Sequence, residues 1–167
     1  QRPSIVDARS RLDDWELDSI IGAKHRGAIT SMVERKTKLT KLVLLEGPTS
    51  KATNAGIIAR LGALKKHVHT MTSDNGKEFA GHADTSEKLG AGFYFCTPYR
   101  SWARGLNENT NGLVRQYFPK GTKLNASDVQ RVEDLHNSRP RKALNFYSPK
   151  EVFDKLTAPL ESYALSM

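Results

Sequence analysis

Apolar residues fall into short runs in the first half of the chain and recur at helical spacing in the second. The run Trp15-Glu16-Leu17-Asp18-Ser19-Ile20-Ile21, within Asp14 to Gly22, has the length and apolar content of a strand. His25-Arg26-Gly27 reads as a turn, Ala28 to Arg35 as a second strand, and Leu39 to Leu45, closed by Gly47-Pro48, as a third. Short connections between them predict an antiparallel meander. Thr49-Ser50 offers an N-cap, and Ala55, Ile58, Ala59, Leu61 and Leu64 then repeat at helical spacing up to the basic Lys65-Lys66-His67. Val68 to Thr72 predicts a fourth strand that runs into Ser73-Asp74-Asn75-Gly76. Phe79 to Leu89 predicts a helix stopped by Gly90, and Gly92 to Thr97 a fifth strand. Tyr99 to Gly105 is a loop, followed by helices over Leu106 to Phe118 and Ala126 to Asn137. A short closing helix opens at Ser148-Pro149-Lys150-Glu151. Residues 1–13 are polar and charged and read as a lead-in arm, so the expected core is one domain over 14–160. The fold class this order predicts is α/β, a mixed five-stranded sheet with helices on both faces.

Charge narrows the partners. With 26 Lys and Arg against 18 Asp and Glu, the formal net charge is +8. That excess favours a polyanion, nucleic acid before an acidic membrane surface. The single cysteine, Cys96, excludes an internal disulfide and suits a reducing cytoplasm. No run approaches the ~20 apolar residues of a membrane span. The abrupt start at Gln1, without an initiator Met or signal peptide, suggests a trimmed domain.

Acids are the minority charge, so an acid at the end of a strand asks for a reason. Asp18 lies among Trp15, Leu17, Ile20 and Ile21, where an ionised carboxylate is costly unless paired or metal-bound. Asp74 follows directly on the fourth strand, at the edge where such sheets expose site residues. Glu108 sits in the first turn of the long helix. At about 100° per residue, Leu106, Leu113 and Tyr117 fall opposite it and should pack on the sheet, while Asn111, Gly112 and Arg115 share its outward face. Two strands and a helix can in this way offer three carboxylates to two Mg²⁺ ions about 4 Å apart. Each acid taken alone is better read as a surface acid with a salt-bridge partner.

Context and spacing say more. Trp15-Glu16-Leu17-Asp18, then Thr72-Ser73-Asp74-Asn75-Gly76-Lys77-Glu78-Phe79, then Gly105-Leu106-Asn107-Glu108-Asn109, with 33 residues between Asp74 and Glu108, resembles the three-carboxylate signature of the retroviral-integrase and transposase superfamily. Asn107 to Pro119, Val33-Glu34-Arg35-Lys36 and Asn137-Ser138-Arg139-Pro140-Arg141-Lys142 resemble in particular the bacterial insertion-sequence-30 family. The resemblance covers nearly the whole chain. It implies a ribonuclease-H-like fold, catalytic and metal-binding roles for Asp18, Asp74 and Glu108, and two Mg²⁺ or Mn²⁺ ions with DNA bound. It further implies hydrolysis at the element's ends and strand transfer into target DNA. Such transposases carry a helix-turn-helix region ahead of the core, which nothing in this sequence matches.

Other residues compete for these roles. Asp13, Asp14 and Glu16 are alternatives for the first metal position, and Glu16 shares the strand face of Asp18; the resemblance selects Asp18. Glu78 reads as a solvated or helix-capping acid. His67 and His69 could bind zinc, but no cysteine or third histidine lies nearby, and surface histidines are the plainer reading. Cys96, Tyr94 and Phe95 read as core. Arg100 and Arg104 bracket Trp102 in the loop before the long helix and suit phosphate contact and base stacking. Asn111, Arg115 and Lys77 complete the expected DNA contacts. Arg139, Arg141 and Lys142 form a second basic cluster, either phosphate-binding or solvated.

The expected activity is metal-dependent phosphodiester hydrolysis and strand transfer on DNA, by a homo-oligomer, in a bacterial cytoplasm, at the nucleoid when DNA is bound. The alternatives are a structure-selective nuclease of the same fold and a catalytically inert DNA-binding or assembly module.

Overall fold

Strand β1 (Asp14–Ile21) is the spine of the domain because both of its faces are buried against helices. The computed structural model describes residues 2–22, 27–96, 105–119 and 121–159. β1 pairs antiparallel with β2 (Ala28–Glu34), from Trp15 opposite Glu34 to Ile21 opposite Ala28. β2 pairs antiparallel with β3 (Thr40–Leu45), which completes the predicted meander. On its other side β1 runs parallel to β4 (Thr70–Ser73), and β4 parallel to β5 (Gly92–Phe95). The sheet order is β3-β2-β1-β4-β5.

Strand alternation divides the core in two. Trp15, Leu17, Met32 and Met71 face α2 (Ser50–Gly62), α3 (His82–Leu89) and α6 (Pro149–Thr157), packing on Ile57, Leu61, Leu89 and Phe153. Ile20, Ile29 and Leu42 face α4 (Gly105–Tyr117) and α5 (Ala126–Ser138), packing on Val114, Phe118, Val129 and Val132. Each fully buried side chain of this size contributes roughly 1.5–3 kcal/mol. Trp15 also satisfies its indole by donating to the carbonyl of His67 at 2.8 Å.

The caps follow the sequence. The Thr49 hydroxyl accepts from the Ala52 amide, and Ser148 and Glu151 form a reciprocal capping box with Pro149 at the first helical position. α5 covers the open edge of the sheet. Glu133 accepts from the Leu42 amide at 2.7 Å, and Asn137 both accepts from the Thr40 amide (2.8 Å) and donates to the Thr40 carbonyl (2.7 Å). These three backbone groups of the β3 edge, which would otherwise invite another strand, are satisfied within the chain.

Four expectations shift. The lead-in arm carries a short helix, α1 (Ser4–Asp7), whose Val6 is fully buried. The helix expected over Phe79 to Leu89 breaks into a 3₁₀ turn (Lys77–Phe79) and α3. The break falls at Gly81, which is pinned to α2: its amide donates to Ser50 Oγ and its carbonyl accepts from Asn54. Of the positions expected to repeat along α2, Leu61 is buried and Leu64 packs against the core, but Ala55 and Ala59 are exposed and Ile58 half-buried; Thr53, Gly56 and Ile57 are buried instead, because Gly56 lets the helix close onto Val43 and Leu45. α4 buries Leu106, Asn107, Thr110 and Val114, so Leu113 is half-buried and Tyr117 is exposed instead of packed on the sheet.

α5 also holds a titrating group. Burial pushes the His136 imidazole down from 6.5 to about 4, and nearby Arg141 and Arg139 add to the shift. The folded state therefore favours neutral His136. This stabilisation is present above about pH 6.5 and is lost as pH falls toward 4, in all by up to about 3 kcal/mol. His136→Gln should flatten that part of the stability curve. Equal pH slopes for wild type and variant in denaturant melts between pH 6.5 and 4 would exclude the assignment.

Candidate active site

The face of β1 that meets α4 carries Glu16, Asp18 and Ile20. Asp18, half-buried, accepts from the Ser19 amide on Oδ1 (2.9 Å) and from Asn111 Nδ2 on Oδ2 (2.8 Å). The other end of the Asn111 amide accepts from Ser31 Oγ at 2.8 Å, and Ser31 stands directly opposite Asp18 in the β1–β2 ladder. These contacts fix the Asp18 carboxylate and tie α4 to the two central strands.

The last β1–β4 pair is Glu16 with Thr72. Two steps further along that register, Asp18 comes level with Asp74, just beyond the end of β4. Asp74 is half-buried, and its Oδ1 accepts from the Gly76 amide at 3.0 Å. A Cβ at Gly76 would lie 2.5 Å from Glu78 Oε2 and 2.9 Å from Asp74 Oδ1, so a larger residue there requires these two carboxylates to shift. Glu78 therefore turns back toward Asp74 rather than into open solvent.

Glu108 lies on the exposed side of α4, one turn before Asn111. Among the described residues no three His, Cys, Asp or Glu side chains converge on a point that could hold a metal ion. The structure thus sets Asp18 beside Asn111 and level with Asp74, and leaves Glu108 on the rim. Asp18 and Asp74 remain suitable for a hard divalent cation, since carboxylate oxygens are its preferred donors.

Glu16 does not belong to that set. Its carboxylate is buried against Arg35 and forms an ion pair with both side chains 2% exposed. Burial raises the Glu16 carboxyl above its ordinary range, against the pull of Arg35, and lowers the Arg35 guanidinium. The second Glu16 oxygen accepts from the Asn107 amide at 3.3 Å, at the N-terminus of α4 and one residue before Glu108. Glu16 and Arg35 each lie in a stretch that resembles the transposase pattern, Trp15-Glu16-Leu17-Asp18 and Val33-Glu34-Arg35-Lys36, but nothing in the sequence joins them. Asp14 is likewise committed, to Arg11 and Thr70, and Asp13 lies beside His67 at 3.3 Å. His67 packs edge-on against Phe153 while His69 is exposed. Phe93 and Phe95 join an aromatic cluster with Phe79 and His82, and Cys96 is half-buried.

Of the expected DNA contacts, Lys77 is exposed, Arg115 is half-buried, and Asn111 uses both ends of its amide inside the protein. Arg100, Trp102 and Arg104 lie outside the described residues.

The fold is that of a retroviral-integrase catalytic core. It is similar to the catalytic core domain of BIV integrase, with a TM-score of 0.69 over 87% of this chain and 96% of that one at 18% identity. It is equally similar to a chain of the simian T-cell lymphotropic virus intasome, with a TM-score of 0.69, 17% identity, and 88% and 55% of the two chains covered. In sequence the chain is similar to transposases of bacterial insertion elements. It is 42% identical over 159 residues to the transposase for IS4351 of Bacteroides fragilis, covering 93% of this chain and 49% of that one. It is 39% identical over 160 residues to transposase InsI for IS30A of Escherichia coli K12, covering 93% and 41%. The chain therefore spans less than half the length of these relatives. No family model matches it. No described helix is long and apolar enough to cross a membrane.

Proposed function

We propose that this domain is the catalytic core of an insertion-element transposase, cutting DNA at the element's ends and joining the freed 3′ ends to target DNA. The observation that carries the reading is the tie from Asp18 through Asn111 to the helix that bears Glu108, with Asp74 just past the end of the adjoining parallel strand. Asp18, Asp74 and Glu108 would hold Mg²⁺ or Mn²⁺, which activates the attacking oxygen and stabilises the leaving one. Asn111 and the Ser19 amide orient Asp18, and the Gly76 amide orients Asp74. No covalent protein–DNA bond is needed, since water and then a DNA 3′-hydroxyl act as nucleophiles. Lys77, Arg115 and the loop residues Arg100, Trp102 and Arg104 would offset the repulsion between site carboxylates and phosphates. The active form would be a homo-oligomer working in the bacterial cytoplasm, with recognition of the element's ends supplied elsewhere in the full-length protein.

Two assays test this. A divalent-metal titration of DNA cleavage separates an enzyme from an inert binding module, which would show no metal-dependent product. Strand joining by the full-length protein on its own element ends then separates a transposase from a nuclease, which would cut and never join.

Gly76→Ala should raise the Mg²⁺ concentration needed for half-maximal cleavage by about tenfold, because the new methyl displaces the Asp74 carboxylate. An unchanged metal requirement would show that Asp74 needs no help from this turn.

A further inference from the structure

The connection between α5 and α6 turns two aromatic side chains outward. Phe146 is 72% exposed and Tyr147 56%. Phe146 also sits at φ +66°, directly after Asn145 at φ +53°. Asparagine tolerates this left-handed region, but a bulky side chain there costs conformational energy that glycine would avoid. The fold holds both residues in place. The Arg141 carbonyl accepts from the Leu144 and Phe146 amides, each at 2.9 Å, and the Tyr147 carbonyl accepts from the Arg141 amide at 3.0 Å. The Arg141 guanidinium ties the loop to α5 through the His136 carbonyl at 3.2 Å, and Ser148 caps α6 at the other end. A well-braced loop thus displays a ring at two costs, backbone strain and apolar exposure. Among the described residues Phe146 joins neither core cluster and no ring contact that would offset them. An outlier held this firmly points to a contact outside the chain.

Positive charge surrounds the ring. Residues 139–155 carry five Lys and Arg against two Asp and Glu. Arg139, Lys142 and Lys150 are exposed, and among the described residues none of the three has an ion-pair partner. Of the two acids, Glu151 is engaged by the Ser148 hydroxyl (2.6 Å) and amide (2.7 Å). A groove of about 370 Å³ runs beside the loop, lined by Leu144, Val152 and Leu156 together with Lys36, Lys155 and Glu151, among others. The charge selects the occupant. A second copy of this chain docking through the same patch would bring the same excess of cations and be repelled. A polyanion is attracted instead, and one that carries flat apolar faces also covers the ring.

We propose that Phe146 stacks on an unpaired base of DNA while Arg139, Lys142 and Lys150 hold nearby phosphates. In a duplex each base face is covered by its neighbours, so only an unpaired or unstacked base offers a face to the ring. Such a contact tolerates any sequence, because every base has a π face. The bracing of residues 141–147 lowers the ordering cost of binding. The inference rests on the chain's acting on DNA, which favours nucleic acid over an acidic membrane surface, and its test uses no cleavage.

The experiment measures binding of a fluorescent single-stranded oligonucleotide, and of its duplex, to this chain by anisotropy in EDTA across a range of NaCl concentrations. Phe146→Ala should bind the single strand roughly tenfold more weakly and the duplex nearly as well as wild type. Its slope of log affinity against log salt should be unchanged, since no charge is removed. Lys142→Gln should weaken both complexes and shallow the single-strand slope by roughly 0.7. Phe146→Trp should keep the affinity, and Phe146→Leu, apolar but without a π face, should lose it. Phe146→Gly separates binding from folding. It should melt no lower than wild type, because the left-handed backbone is relieved, and bind the single strand as weakly as Phe146→Ala. If Phe146→Gly melted well below wild type, the ring would belong to the core and the proposal would fail. It also fails if wild type binds the single strand and Phe146→Ala matches it. If Phe146→Ala turned a self-associating wild type into a monomer, or abolished binding to anionic vesicles, while DNA affinity held, the patch would serve that other partner. If wild type does not bind DNA at all, the proposed function itself falls.

Discussion

Asp18→Asn, Asp74→Asn and Glu108→Gln are each expected to abolish DNA cleavage and joining while the fold survives. Each change removes one negative charge with almost no change in volume, so activity and packing are affected separately. Glu108 is exposed and makes no described contact that Gln would break. Its variant should melt with wild type. Asp18→Asn costs more, because both Asp18 oxygens accept hydrogen bonds and an amide offers only one acceptor, a difference of about 1 kcal/mol. That loss leaves most of a domain's stability in place. A two-metal site cannot lose a ligating charge so lightly, because those charges fix both the affinity and the position of the ions. Calcium should bind the wild type and support little chemistry, its larger and looser shell being a poor match for in-line displacement. Activity within tenfold of wild type, assayed on pre-cut and uncut element ends with Mg²⁺, would remove the residue concerned from the catalytic set.

The sequence carried the strands well and the helix faces less well, for a physical reason. Strand period is two, and the run from Trp15 to Ile21 places Trp15 and Leu17 on one face and Glu16, Asp18 and Ile20 on the other without ambiguity. The caps at Thr49 and Ser148 were equally legible, since their chemistry is local. The faces of α2 and α4 were misjudged because apolar residues were counted and close approach was not. α2 meets the sheet through Thr53 and Gly56, and α4 through Asn107 and Thr110. A glycine fits against a sheet by what it lacks, and the polar groups of α4 are held by partners distant in sequence. The Asn107 backbone N–H finds Glu16, 91 positions away, and the half-buried Asn111 side chain finds Asp18, 93 away. Asp18 and Asp74 stood out individually, but no periodicity could show that an asparagine one turn beyond Glu108 would orient Asp18. Val6 was hidden for a similar reason, as a single apolar residue in a polar arm carries no period.

Glu16→Ala is expected to destabilise the domain by about 3–5 kcal/mol, the usual consequence of removing one partner from a buried ion pair. Arg35 is 2% exposed and would keep its charge without its carboxylate. Replacing both residues, as Glu16→Leu with Arg35→Met, should recover most of that loss, because an apolar pair of similar volume avoids the desolvation cost that both groups carry. The double variant therefore isolates what Glu16 does besides pairing. Its second oxygen accepts from the Asn107 amide and so seats the first turn of α4, where Glu108 is the next residue. A refolded, stable double variant should still bind DNA, and should need more Mg²⁺ for half-maximal cleavage because the Glu108 backbone is less firmly placed. Glu16 would then be a positioning residue that connects the strand bearing Asp18 to the helix bearing Glu108. If the double variant matched wild type in both melting temperature and metal requirement, the contact to Asn107 would be incidental, and α4 would be placed by its other contacts, among them those of Asn111 and Val114.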